Sequence, residues 1–222
     1  MSQEARHGRP DLRLLPIAAA LVAILAVHAV LALVLSRSLT ETLLEREGKV
    51  AQEFLTSILS AEGTADKLFD TPAPSPALES FAAHVQNFPG TIRANIYSPD
   101  GYIRHSTEPA FIGLQFGDNA ELSESFRGKL ISKLEEISAS AKDEHLALNR
   151  MAGEKVAEAY IPVAAPDGRV VAVVEFYRKA EIVEDTVRAM TNKVWLAAGI
   201  SGLILFVAIV LVMSLAPRRR DG

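Results

Sequence analysis

The sequence predicts an α+β protein in which two transmembrane helices flank one domain built on an antiparallel sheet, entered through a long N-terminal stalk helix. Three observations predict this. Of the 222 residues, 49% are hydrophobic, and two runs hold much of that excess: residues 14–35, whose only strongly polar member is His28, and residues 194–216, which contain no ionisable side chain. At 1.5 Å per residue, ~22 residues span roughly 33 Å against a hydrocarbon core of about 30 Å. A polar stretch with helical periodicity follows the first run. Further along, two Pro-Asp-Gly turns each join a pair of stretches with alternating polarity. The expected boundaries are a tail at 1–13, a span at 14–35, an aqueous domain at 36–193, a span at 194–216 and a tail at 217–222. The aqueous part is large enough for one domain with its own core.

Orientation follows from charge. Arg6, Arg9 and Arg13 precede the first run and Arg218, Arg219 and Arg220 follow the second, so both termini are expected to be cytoplasmic and the central domain extracytoplasmic. Residues 36–193 carry 17 Lys+Arg and 24 Asp+Glu, a net of −7, whereas the rest carries six Arg against Glu4, Asp11 and Asp221, a net of +3. An acidic outer domain argues against nucleic acid as a partner, and basic tails suit an anionic inner leaflet. The chain has no cysteine, so no disulfide and no thiol chemistry is available. A cleavable signal peptide ending at Val30-Leu31-Ala32 competes for the first run. Its apolar core would be longer than the ~7–15 residues usual there.

The first helix is expected to continue past the membrane to about residue 61, with Leu39, Leu43, Val50, Phe54 and Ile58 at helical spacing. Glu53 and Ser57 interrupt that seam, so the reading is a helix half used for pairing and half for packing. Gly63 and the proline-rich Thr71-Pro-Ala-Pro-Ser-Pro76 end it. Residues 76–88 read as a helix capped by Ser75, with Leu78, Phe81 and Val85 on one face. The period then changes to two: Ile92, Ala94 and Ile96 alternate with Arg93, Asn95 and Tyr97, which predicts a strand over 91–98. Ser98-Pro-Asp-Gly101 turns it into a returning strand at 102–106. Asn119 or Asp118 can cap a helix over 120–127. Residues 130–137 alternate too weakly to assign, and 142–150 could be a strand. Residues 155–163 and 169–177 form a second hairpin through Ala164-Ala-Pro-Asp-Gly168. Its last strand is nearly all apolar or β-branched, which predicts a central position. Val183, Val187, Met190 and Val194 then carry a helix into the second span.

Several stretches carry a resemblance. Asn95-Ile-Tyr-Ser-Pro-Asp-Gly101, Ile112-Gly-Leu-Gln-Phe-Gly-Asp-Asn119, Glu121-Leu-Ser-Glu-Ser-Phe-Arg-Gly128, Lys142-Asp-Glu-His145 and Ala159-Tyr-Ile-Pro-Val-Ala-Ala-Pro-Asp-Gly-Arg-Val-Val-Ala-Val-Val-Glu175 occur in that order. Together they resemble the extracytoplasmic single PAS-like (Cache) sensor domain found ahead of bacterial sensor histidine kinases and diguanylate cyclases. The resemblance covers about residues 93–176. It implies a five-stranded antiparallel sheet, a homodimer paired through the first helix, a bacterial inner (cytoplasmic) membrane location and small-molecule sensing across that membrane. The family's cytoplasmic output region has no counterpart in this sequence, so no output activity is implied and a separate cytoplasmic signalling protein, such as a histidine kinase or cyclase, is the expected partner. A sensor cut from a longer protein is the other expectation.

Catalysis finds little support: there is no His-Glu-x-x-His, no Gly-rich phosphate loop and no Cys, and His84, His105 and His145 lack metal-ligand spacing. The expectation is no enzyme, no cofactor and no metal. A ligand pocket is the sharper expectation. Arg93, Asn95 and Tyr97 share one strand face, and Glu158 and Tyr160 share a face of another. The ligand-binding residues are taken as Arg93, Tyr97, His105 and Tyr160, and their ligand as a small solute, with a carboxylate fitting the planar cation and the phenols. His28 is a titratable group within a span, for which a hydrogen bond to a neighbouring helix is the simplest role. Ala198 and Gly202 form a small-xxx-small pair. The alternative function is a structural or assembly membrane protein whose outer domain binds another protein.

Overall fold

Turn chemistry decides where the sheet folds back on itself. Gly101 and Gly168 take φ of 83° and 86°, the left-handed region that only glycine enters without strain, and each follows a Pro-Asp pair. In the computed structural model, which describes residues 14–70, 74–115, 119–137 and 155–215, the elements in chain order are as follows. Helix α1 spans Leu14–Glu62, a 3-10 turn covers Ala65–Lys67, and α2 spans Pro76–Gln86. Strands β1 (Thr91–Tyr97) and β2 (Ile103–Ser106) form the first hairpin. A 3-10 turn at Pro109–Phe111 leads to α3 (Ala120–Phe126), then β3 (Ile131–Glu136), β4 (Lys155–Ala164), β5 (Val170–Lys179) and α4 (Glu181–Leu215).

The five strands form one antiparallel sheet in the order β2-β1-β5-β4-β3. The sequence expectation of an α+β fold with an antiparallel sheet and a long first helix holds. The central place of β5 also holds, for it pairs with β1 on one side and β4 on the other. The weakly alternating residues near 131 are a strand after all, because β4 supplies a full ladder from Ile131↔Tyr160 to Glu136↔Lys155. The possible strand at 142–150, with His145, lies outside the described residues.

One sheet face packs on α1 and α2. Ala94, Ile96, Ala159, Ile161, Val163, Ala172, Val174 and Phe176 meet Leu55, Leu59, Leu78, Phe81 and Val85 in the main core. Ser75 fixes α2 from both sides, its hydroxyl accepting the Leu78 N–H at 3.1 Å and donating to the Lys67 carbonyl at 2.8 Å. The face that α1 buries is Leu44, Gly48, Ala51, Leu55 and Leu59. That differs from the seam expected from sequence, where Val50 is 55% and Phe54 42% exposed. A Cβ at Gly48 would stand 2.9 Å from Leu130 Cδ2, so that side chain would have to shift to admit one.

The chain divides into two compact units, one made of the segments up to Leu39 and from Arg188, the other of Thr40–Val187. Within the first, two helices are long and apolar enough to cross a membrane. Gly202 lies against Ile24 and His28, with a Cβ there 3.5 Å from each side chain. The small-xxx-small pair therefore serves contact between the two helices of this unit. The His28 Nδ1–H donates to the Ile24 carbonyl of its own helix at 2.8 Å, the ordinary way to satisfy a polar ring among apolar neighbours.

Candidate functional site

The second sheet face carries the chemistry. Residues paired across strands share a face, so the register lines up two rows. One runs Arg93–Tyr177–Glu158–Lys133 through β1, β5, β4 and β3; the next runs Asn95–Glu175–Tyr160–Ile131. The Pro109–Phe111 turn and α3 cover this face with Phe111, Leu122 and Phe126, which pack with Tyr97, Ile103, Tyr160 and Val173. Under that cover Arg93 is 2% exposed, and Asn95, Tyr97, Glu158, Tyr160, Glu175 and Tyr177 are fully buried.

A buried carboxylate is costly unless hydrogen-bonded, and both acids are well supplied. Glu175 Oε2 accepts from Asn95 Nδ2 at 2.6 Å and from the Tyr97 hydroxyl at 2.9 Å. Asn95 is itself held by the Ser106 hydroxyl, which donates to its Oδ1 at 2.7 Å. Glu158 Oε2 lies 3.1 Å from Lys133 Nζ, an ammonium that also meets Glu135 at 3.2 Å and the Glu121 carboxylate of α3. The Tyr177 hydroxyl stands 2.8 Å from Glu158 Oε1 and 2.8 Å from Glu175 Oε1, bridging the two acids. Asn119, the cap of α3, donates from Nδ2 to the Tyr160 hydroxyl at 3.0 Å. The Arg93 guanidinium is sandwiched by rings, 4.1 Å from the centroid of Tyr177 and 5.0 Å from that of Phe111, a favourable place for a planar cation. On α3, the fully buried Ser125 hydroxyl has no hydrogen-bond partner among the described residues.

Three of the four residues chosen from sequence come together here: Arg93, Tyr97 and Tyr160. His105 does not join them. It pairs with Ile96 across β1 and β2, which puts it on the helix side of the sheet, where its Nε2 lies 2.6 Å from Gln86 Nε2. Burial of the ring there pushes its pKa below the ordinary histidine value. Sequence reasoning missed Glu175, Tyr177 and Lys133. Glu175 had a signal: it is a lone acid inside an otherwise apolar central strand, and such an acid must find partners in the interior. Among the described residues no three metal-ligating side chains converge; His145 lies outside them.

No protein-family model and no curated protein matches the chain. Solved structures do. The extracellular domain of a protein classed as a histidine kinase is 20% identical with a TM-score of 0.38, over 70% of this chain and 58% of that one. The ligand-binding domain of the Campylobacter jejuni chemoreceptor Tlp3, in complex with L-valine, is 9% identical with a TM-score of 0.31, over 78% of this chain and 63% of that one. The ligand-binding domain of the Pseudomonas fluorescens chemoreceptor CtaA, in complex with L-isoleucine, is 17% identical with a TM-score of 0.29, over 68% of this chain and 60% of that one. These neighbours are extracellular sensor and ligand-binding domains, and in each the match spans less than two thirds of the neighbour's own length.

Proposed function

We propose that the chain is a membrane-anchored sensor whose extracytoplasmic domain binds a small solute on the polar face of its sheet. The helices that flank the domain then pass the signal to a separate cytoplasmic protein such as a histidine kinase or a cyclase. The observation that carries this reading is the pair of buried rows on β1, β5, β4 and β3. A stable domain of this size gains nothing by placing Arg93, Glu158 and Glu175 in its interior, since well-packed apolar side chains would serve stability as well or better. Such groups are retained where recognition needs them. Arg93, with Tyr97 and Tyr160, offers a guanidinium and phenols to a solute carboxylate, and Glu158 and Glu175 offer acceptors to its donors. A solute bearing both kinds of group fits this face better than a simple anion.

Both termini lie in the cytoplasm of a bacterial cell on this reading, with residues 36–193 outside, as the arginine clusters favour. Two copies pair in parallel through the exposed Val50 and Phe54 of α1. Thermal unfolding of the full-length chain in detergent micelles against a broad metabolite panel tests the proposal. One member or one chemical class is expected to raise the melting temperature, and Arg93→Ala is expected to abolish that rise while leaving the far-UV spectrum unchanged. A chain stabilised by no member of the panel, or a rise that survives Arg93→Ala, would overturn it.

A further inference from the structure

One polar atom is left over in the unit of the apolar helices. His28 lies on α1, and its Nδ1 is 2.8 Å from the Ile24 carbonyl oxygen. A carbonyl only accepts, so Nδ1 carries the hydrogen, and Nε2 of the neutral ring is then a lone-pair acceptor. Among the described residues no donor meets that nitrogen. The ring turns its Cγ and Cδ2 toward Gly202, where a Cβ would stand 3.5 and 3.6 Å from them. Beside it α1 and α4 form a groove of about 420 Å³ whose lining includes Leu21, Ile24, His28, Trp195, Gly202 and Phe206. His28 brings the only side-chain acceptor among the residues that line it. At Gly199, also in the lining, a Cβ would meet nothing within 4 Å, so there is room beside α4.

We infer that this groove is a binding site for an apolar molecule carrying a hydroxyl, its body filling the groove and its O–H donating to His28 Nε2. The inference rests on the proposed membrane location of these helices and not on the solute site of the outer domain. In hydrocarbon no water is at hand to satisfy a polar atom, so an open acceptor there favours a ligand that brings its own donor. An acyl chain suits the walls equally well but leaves the nitrogen unpaired.

Depth narrows the choice of donor. His28 stands seven residues inside the end of the apolar run at residue 35, roughly 10 Å of helix at 1.5 Å per residue. That is below the headgroups, so the hydroxyl belongs to a molecule dissolved in the hydrocarbon. Two sources share this chemistry: a long-chain alcohol, and a phenol or hydroquinone with an alkyl tail. The Trp195 and Phe206 rings in the same lining offer the second a stacking surface.

The full-length chain in vesicles of phosphatidylcholine, a lipid without a hydroxyl, tests the site, with flotation of the protein on the vesicles measured first. The probes are 4-nonylphenol and 1-dodecanol, each against its methyl ether, which keeps the body and loses the donor. Emission of Trp195, the single tryptophan, reports filling of the groove. The ¹⁵N resonance of His28 Nε2, identified by its absence from His28→Leu, reports the hydrogen bond. At least one hydroxyl compound is expected to saturate the Trp195 response at a mole fraction about tenfold below its ether and to move the Nε2 resonance. The tighter of the two identifies the source. His28→Leu should abolish the preference for hydroxyl over ether, and Gly199→Leu should weaken binding of both by filling the groove. Saturation by neither hydroxyl compound, an ether that binds equally well, or a hydroxyl preference that survives His28→Leu overturns the inference. Should His28→Leu fail to fold, Gly199→Leu decides, since undiminished binding there also overturns it. A chain that does not float with the vesicles overturns the membrane reading and the inference together, whereas a floating chain that binds neither probe overturns the inference alone.

Discussion

Removing one oxygen atom from Tyr177 should measurably weaken the outer domain. In Tyr177→Phe the ring stays, so the Arg93 guanidinium keeps its face-on contact at 4.1 Å, and only the bridging hydroxyl at 2.8 Å from each acid is lost. Hydrogen bonds to charged groups contribute about 1.5–3 kcal/mol, and a buried acceptor left unsatisfied adds to the loss rather than reducing it. The expected cost is therefore about 1.5–3 kcal/mol. Tyr177→Leu removes the ring as well and should cost about 0.5–2 kcal/mol more through the lost cation–π contact. The assay is urea unfolding of the full-length chain in micelles, followed by near-UV circular dichroism of the tyrosines. Tryptophan emission is the wrong probe, because the single Trp195 sits in the unit of the apolar helices. A Tyr177→Phe chain within about 0.5 kcal/mol of wild type, the range of an ordinary surface change, would refute the claim that the hydroxyl joins two buried acids.

Other perturbations probe the rest of the architecture. Leu59→Ala, at a fully buried position of α1 in the main core, should cost about 2–5 kcal/mol in the same urea assay. Gly48→Val should cost about 1–3 kcal/mol by overpacking against Leu130, whose Cδ2 lies 2.9 Å from the added Cβ, and a second change, Leu130→Ala, should recover part of the loss. His105 has its pKa lowered by burial, so the unfolded chain binds more protons than the folded one as pH falls through the ordinary histidine value of about 6.5. Stability should decline over that window, and a His105→Gln chain, which does not titrate there, should show a shallower decline in melting temperature with pH. Single cysteines scanned through residues 43–58 in membranes should crosslink with helical periodicity, strongest at Val50 and Phe54; a flat profile would count against pairing through α1.

Much of the fold is legible in the sequence because it rests on local chemistry. Pro-Asp-Gly turns, the Ser75 and Asn119 caps and the period-two run through Arg93, Asn95 and Tyr97 act over a few residues, and each stands where expected. The packing face of α1 is harder to see. Leu43 and Leu44, or Phe54 and Leu55, are neighbours of similar apolarity, and the choice between them is made by residues distant in sequence, Ala157 and Leu134 beside Leu44 and Phe81 in the core with Leu55, not by the helix itself. Strand β3 is hidden for a related reason: Lys133, Glu135 and Glu136 look like a solvated run until β4 pairs with them. On the polar face of the sheet, Arg93, Tyr97 and Tyr160 come together as strand alternation leads one to expect. His105 is misplaced because the register of β2 against β1, which shifts between Ile96 and Tyr97, decides which side a short strand presents. Glu175 and Tyr177 join that face through cross-strand register, a property of two strands that neither shows alone.

Hydrogen exchange on the full-length chain, with and without the solute that stabilises it, tests most directly whether that solute binds on the polar face of the sheet. The account predicts slowed exchange in the covering segments at residues 107–115 and 119–127 and in β1, β4 and β5, with α2 and the residues around His105 unchanged. Protection confined to α2 and residues 75–88, on the opposite side of the sheet, would contradict it.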